Sequence, residues 1–299
     1  AYYFLADYHA LVKNRDPKLL RESSLAVAAT WLALGLDTET SVFYRQSDVP
    51  QIAELSWILS SVTAKGLMNR AHAYKAAVQD NEDSGSRDPD KGITMALFSY
   101  PVLMAADILM FNADQVPVGK DQIQHVEMAR DIAQRFNHIY GEIFVLPEAV
   151  VDDRAAILTG LDGRKMSKSY NNTIPLFLPA KQLRKQVMKI KTNSLEPGEP
   201  KDPDDSTVYE LFRAFADEAA VAEFRGDLQA GLAWGEAKQR LFECLDGQLA
   251  APRQEYDRLL RDSSYVEMTL LAGSERAQEI ASTTLAAVRS AVGISSLQP

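Results

Sequence analysis

The apolar positions of the chain fall into two regimes that meet near Pro179. Before it, short runs of strand length alternate with longer stretches of helical spacing. Tyr2 to Ala6 is a brief apolar run, as a buried strand would be. Asp16-Pro17 then offers an N-cap and a first-turn proline: a short acceptor side chain holds orphan amides, and proline has no amide there to leave unpaired. Leu20, Val27, Trp31 and Leu34 follow at roughly helical spacing, and Gly35 suits the stop. Val42 to Tyr44 predicts the next strand. Strand, long helix and strand make a βαβ unit, whose strands run parallel.

Pro50 to Ala77 predicts helix in two pieces, and Asn81 to Asp90 a polar loop. Pro101 to Phe111 is apolar on nearly every side, so a helix there is a buried one. Gln115 to Val118 predicts a strand, Asp121 to Asn137 a helix, and Ile143 to Leu146 another strand. After Pro179 strand-like runs largely cease. Leu183, Val187 and Ile190 share a helical face, as do Val208, Leu211, Phe212 and Phe215, and again Leu241, Cys244, Leu245 and Leu249. The acidic, proline-rich stretch Glu196 to Asp205 predicts a rigid loop. The pattern thus predicts an α/β domain with a parallel sheet, then an all-helical domain from about 180 to 292.

A length of 299 residues leaves room for both. The net charge of −9 argues against broad, non-specific nucleic-acid binding, which draws on phosphate neutralisation. It leaves room for one local basic face. Lys181, Arg184, Lys185, Lys189 and Lys191 form a candidate, with a solvated helix surface as the alternative. The single cysteine, Cys244, excludes an intrachain disulfide and a cysteine-cluster zinc site, and it fits a reducing, cytoplasmic setting. No apolar run approaches the roughly 18 residues that span a bilayer. The first residues carry no basic flank of a signal peptide.

Three places carry candidate chemistry. Lys165-Met166-Ser167-Lys168-Ser169 follows Gly160 and Gly163 and precedes Tyr170-Asn171-Asn172. Two ammonium groups on flexible stems suit a polyphosphate that moves as it leaves. The alternative is a solvated basic turn. Asp107 stands inside an apolar helix, where a carboxylate costs several kcal/mol, on the order of the penalty per buried ion, unless donors meet it. Tyr100, Met104 and Asp107 share a face at i, i+4 and i+7, offering a ring, a soft apolar surface and an anion. A flat apolar ligand with one N–H donor, such as indole, satisfies all three; a structural aspartate paired with an arginine or an amide is the alternative. Finally, Pro117 to Gln122 runs from strand through Gly119 into a helix N-terminus, the ligand edge of an α/β sheet. Gly119 admits close backbone approach, Asp121 can accept from ribose hydroxyls, and Gln122 can bond an amine or carboxylate. A simple helix cap is the alternative. His9, His72, His125 and His138 have no metal-ligand spacing.

The five-residue string at 165–169 is identified as the signature loop of class I aminoacyl-tRNA synthetases. Further stretches resemble the bacterial-type tryptophanyl-tRNA synthetases: Phe4 to Ala10, Tyr44 to Pro50, Tyr100 to Leu109, Val116 to Gln122, Gln124 to Glu127 and Asp131 to Asn137. They fall in order over the first 170 residues. The resemblance implies a Rossmann-type catalytic domain over 1–179, a helical anticodon-recognition domain over 180–299, and a homodimer. It implies activation of L-tryptophan by Mg2+-ATP to the adenylate, then transfer to tRNA(Trp). By the same resemblance Asp107 accepts the indole N–H, Tyr100 and Gln122 hold the amino group and Met104 lines the ring. His9 follows a strand and from that position can reach the cleft, with a polar or partly packed histidine as the alternative. Gly119, Lys120 and Asp121 contact the nucleotide, Ile157 lies against adenine, and Lys165, Met166, Ser167, Lys168 and Ser169 close over the phosphates. Lys165, Ser167 and Lys168 are the expected catalytic groups.

The sequence departs from the class in one respect. The histidine- and glycine-containing ATP motif on the turn after the class's first strand is not found. His138-Ile139-Tyr140-Gly141 follows a helix and is not that motif. The chain begins where the family's second core strand is expected, so the expectation is a polypeptide that binds ATP poorly. Two alternatives stand beside tryptophan activation. One is the tyrosine-specific relative; the other is a non-catalytic paralogue or fragment that binds tRNA or a partner.

Overall fold

The computed structural model describes residues 1–151 and 158–294, the side chain of Lys168 excepted. The chain divides into two compact units, Ala1–Arg154 with Asp262–Pro299, and Ala155–Arg261. These bounds differ from the expected division at 179/180: residues 158–179 fall with the helices of the second unit, and the last helix falls in the first.

The first unit opens with β1 (Tyr2–Leu5), α1 (Asp7–Ala10), α2 (Pro17–Ala33) and β2 (Val42–Arg45). Asp16 caps α2 as its position predicts, accepting from the amides of Lys18 and Leu19. β1 and β2 pair in parallel, Phe4 opposite Tyr44. α3 (Gln51–Val62), α4 (Lys65–Met68) and α5 (His72–Asp83) follow, three helices where two were expected. α6 (Met95–Leu109) starts six residues before the expected Pro101, because Thr94 accepts from the amide of Leu97 and so supplies the cap. β3 (Gln115–Pro117), α7 (Ile123–Tyr140) and β4 (Glu148–Val150) complete this run.

Ile143 to Leu146 is not the strand its apolar run predicts. The Asn137 carboxamide stands in for a neighbouring strand there. Its oxygen accepts from the amides of Ile143 (3.1 Å) and Phe144 (3.0 Å), and its nitrogen donates to the Phe144 carbonyl (2.7 Å). β4 forms after it and pairs in parallel with β3, Ala149 opposite Val116.

The second unit holds the signature loop and α8 (Ala180–Met188), α9 (Thr207–Phe215), α10 (Glu218–Gln229) and α11 (Trp234–Arg261). Leu183, Val187, Val208, Leu211, Phe212, Leu241, Leu245 and Leu249 form its core, as their spacing predicts. Lys201 lies inside the acidic loop, only 2% exposed. Its ammonium donates to the carbonyls of Glu196 (3.0 Å), Glu199 (2.9 Å) and Gly231 (3.4 Å), which gives the buried charge the partners it needs.

α12 (Ser263–Ala291) belongs to the first unit and lies directly on β2. Gly273 makes that approach possible. A Cβ there would fall 1.8 Å from the Phe43 carbonyl oxygen, so any side chain would push helix and strand apart. The core beneath includes Tyr44, Ile52, Leu55, Leu59, Leu109, Met110, Ile132 and Phe136. Burial of each large apolar side chain stabilises by about 1.5–3 kcal/mol before the entropy of ordering it is subtracted.

Candidate functional site

Asp107 is 4% exposed, near the end of α6. Two side chains from the strand ends meet it. His9 Nε2 stands 2.8 Å from Oδ2. Gln46 Nε2 donates to both oxygens, at 2.8 and 3.0 Å. Gln46 follows β2, and His9 lies in α1 just after β1, so both come from the carboxyl ends of parallel strands, where α/β sheets gather ligand-binding groups. Burial pushes the Asp107 carboxyl above the ordinary carboxylate range, against the lowering by His9 and Gln46.

The expected indole acceptor is therefore occupied in this structure by residues of the chain itself. His9 is the less anchored of the two. Its Nδ1 is buried and makes no hydrogen bond among the described residues, where the bond to Asp107 is the hydrogen bond that the ring makes. Two hollows flank it. One of about 420 Å³ is lined by His9, Ala73, Tyr100, Gln122 and His125 among others. The second, about 280 Å³, is lined by His9, Ala53, Ser56, Ala96 and Leu103 among others.

From His9 a line of contacts runs to the strand–turn–helix at 117–123. The His9 and Tyr100 rings lie 4.2 Å apart between centroids, and Tyr100 and His125 5.5 Å. His125 Nδ1 is 3.0 Å from Gln122 Oε1, and Gln122 Nε2 donates to Asp121 at 3.1 Å. Gly119 enters a short 3-10 turn, Lys120–Gln122, ahead of α7. Burial, then the Asp107 charge, raises the Tyr100 hydroxyl. Burial, then His72 and His9, lowers the His125 imidazole. The structure thus joins His9, Tyr100, Asp107, Asp121 and Gln122 in one network. Met104 packs against the core, half-buried. Gln46 and His125 lie in stretches that carry the family resemblance, yet no role was expected of either; the position of Gln46 directly after a predicted strand is the signal that could have found it.

The signature loop, in the second unit, is a tight hairpin. Thr159 and Lys165 form an antiparallel bridge, Gly160 N donates to Arg164 O (2.7 Å), and Met166 N to Leu158 O (2.8 Å). Asn172, 2% exposed, is its hub. Its oxygen accepts from Ser167 N (2.8 Å), and its amide nitrogen donates to Asp162 (2.7 Å) and to the Lys165 carbonyl (3.1 Å). Gly160 is required beside it, since a Cβ there would lie 2.4 Å from the Asn172 carboxamide. Asn172 first, then Arg164, holds the Asp162 carboxyl down to about 2. Met166 packs toward the unit's core, Ser167 and Ser169 hydroxyls lie 2.8 Å apart, and Lys165 is exposed. Ile157 and the side chain of Lys168 lie outside the described residues.

Residues 1–245 match the family model described as tRNA synthetases class I (W and Y). A tryptophan–tRNA ligase of Pseudomonas aeruginosa is 60% identical over the whole of this chain, which spans 67% of that relative. One of Neisseria meningitidis is 57% identical over the whole chain, which spans 89% of it. Among solved structures, the tryptophanyl-tRNA synthetase of Campylobacter jejuni complexed with ADP and tryptophan aligns with a TM-score of 0.86 at 42% identity, covering 97% of this chain and 88% of that one.

Proposed function

We infer the chemistry of this chain from its kinship: it belongs to the class I tRNA synthetases specific for tryptophan and tyrosine. Its function is the ATP-dependent joining of tryptophan to tRNA, for which its 57–60% identical relatives are named. The observation that carries the amino-acid choice is the buried Asp107 with a weakly anchored His9 on its oxygen. An indole N–H is a donor and nothing else. It takes the His9 place on Asp107, while Gln46 continues to hold the carboxylate. Tyr100 and Gln122 then face the substrate amine, and Met104 the ring.

The substrate carboxylate attacks the α-phosphorus of ATP, the bond to the bridging oxygen breaks, and pyrophosphate leaves. A hydroxyl of the tRNA terminal ribose then attacks the activated carbonyl and releases AMP. The first step requires no protein acid or base; positioning and charge stabilisation do the work. In the second the hydroxyl gives up its proton as the ester bond forms, and the phosphate of the departing AMP is placed to take it. Gly119, Lys120 and Asp121 serve the nucleotide, and Ile157 the adenine. Lys165 and Lys168, with Met166, Ser167 and Ser169, follow the departing phosphates. Mg2+ comes with the triphosphate, where it neutralises developing charge.

The homodimer is supported by Trp57, 78% exposed, and Met95, 72% exposed, on α3 and α6. Those two helices also contribute Ser56 and Ala96 to a common hollow. Among the described residues no helix is long and apolar enough to cross a membrane; the cytosol is the compartment proposed, since tRNA is charged there. The test is amino-acid-dependent ATP–pyrophosphate exchange followed by tRNA charging. Exchange is expected with tryptophan and not with tyrosine. Exchange with tyrosine alone would reassign the specificity, and tRNA or partner binding with no exchange would favour a non-catalytic role.

A further inference from the structure

The two ends of the Gln46 side chain fix its orientation. Gln46 is fully buried, at 0% exposure. Its carbonyl oxygen accepts from the Tyr8 amide at 3.2 Å. Its amide nitrogen sits astride the Asp107 carboxylate, 2.8 Å from Oδ1 and 3.0 Å from Oδ2. The reverse orientation would set oxygen against a carboxylate and NH2 against N–H, two like contacts in place of bonds, in a site where unpaired polar groups are costly. Gln46 therefore faces Asp107 only as a donor.

The Tyr8 amide is itself held. Asp7 accepts from the amides of Tyr8 and Ser47, each at 3.0 Å, and from the Ser47 hydroxyl. Tyr8 lies just after β1 and Ser47 just after β2, so one carboxylate clamps the two strand ends together with Gln46 between them. At Asp107, burial and hydrogen bonding act against each other. Burial pushes the carboxyl up, and His9 and Gln46 pull it down. His9 is the donor that an incoming ligand N–H replaces. Gln46 is the donor that stays. Without it the buried carboxyl takes up a proton, and its bond to a ligand becomes one between neutral groups.

We propose that Gln46, held through the Tyr8 amide by the Asp7 clamp, is a positioning residue for amino-acid selection. It keeps Asp107 an acceptor and nothing else, so the site favours a ring with an N–H over the same ring with a lone pair in that place. Gln46 acts through Asp107 and not on the substrate itself, as a locked support behind a binding group does. The inference deepens the ligase reading and rests on it.

The experiment is calorimetric binding of tryptophan, and of its benzothienyl isostere with sulfur in place of the N–H, to the whole chain and to three variants. The wild type is expected to prefer tryptophan about 10- to 150-fold, the range of a bond to an ionised acceptor. Gln46→Met keeps the length and removes the donor. Its preference is expected to fall at least about fivefold, toward the roughly 2- to 13-fold of a neutral acceptor. Gln46→Glu keeps the shape and sets a second carboxyl against the first, so the two share a proton and the preference falls as far. Asp7→Asn leaves the buried pair in place, weakens the clamp and lowers the preference at least about twofold. Damage that is merely structural weakens both ligands alike and leaves their ratio unchanged. A wild-type ratio in either folded Gln46 variant would overturn the positioning role and leave the ligase reading intact. If neither Gln46 variant folds, Asp7→Asn decides by the same ratio, and a wild-type value there would overturn the role. A wild-type chain that binds the two ligands equally would overturn both this inference and the indole contact it rests on.

Discussion

Asp107→Asn isolates the bond on which amino-acid choice depends. The substitution keeps size and shape and removes the charge. A hydrogen bond to an ionised acceptor is worth about 1.5–3 kcal/mol, or about 10- to 150-fold in affinity. The variant also disturbs the His9 and Gln46 contacts at 2.8 Å, so the raw loss of tryptophan affinity mixes several effects. A double-mutant cycle removes them. The second change is made in the ligand, by replacing tryptophan with its benzothienyl isostere, in which sulfur stands where the N–H was. Calorimetry on the four pairs gives the coupling between carboxylate and N–H. The wild-type chain is expected to prefer tryptophan by the full 10- to 150-fold and the variant by only a few-fold. The same preference in both would take Asp107 out of contact with the ligand.

Asn172→Ala should loosen the signature hairpin, since it removes the bonds to Ser167, Asp162 and Lys165; pyrophosphate exchange is expected to slow at least tenfold with tryptophan affinity unchanged, and an unaltered rate would contradict the hub assignment. Gly273→Ala is expected to cost about 3 kcal/mol or more in a urea titration, because the added carbon collides with the Phe43 backbone; a loss near zero would mean α12 does not lie on β2 as described. Stability should also fall as pH drops through about 6.5. Burial lowers the His125 imidazole, so the unfolded chain takes up its proton first, with a slope of at most about 1.4 kcal/mol per pH unit for one proton. Asp107, raised by burial, acts in the opposite sense, its contribution being lost as pH rises through its folded value. Urea midpoints of the wild type and His125→Asn, which keeps a partner for Gln122, separate the two. Identical pH profiles would rule His125 out.

The parts of this molecule that were legible in the sequence are those set by local pattern. Asp16-Pro17 started α2, the apolar faces of α8, α9 and α11 were read from spacing, and a lone carboxylate in an apolar helix marked Asp107. What was not legible depends on distant partners. Gln46 and His9 meet Asp107 from 61 and 98 residues away, and no local rule ties them to it. Lys201 reads as a solvated lysine among prolines and acids, yet backbone carbonyls close around it. The apolar run at 143–146 looked like a strand because a side chain, Asn137, satisfies its backbone where a ladder was expected. α12 returns to β2 through one glycine whose spacing carries no signal.

The most direct measurement is a crystal structure of the whole chain with tryptophan bound. The account predicts the indole nitrogen about 2.9 Å from an Asp107 oxygen, with the His9 ring swung off it and Gln46 Nε2 still in place. Tryptophan seated elsewhere, or bound while the His9–Asp107 contact stays at 2.8 Å, would contradict it.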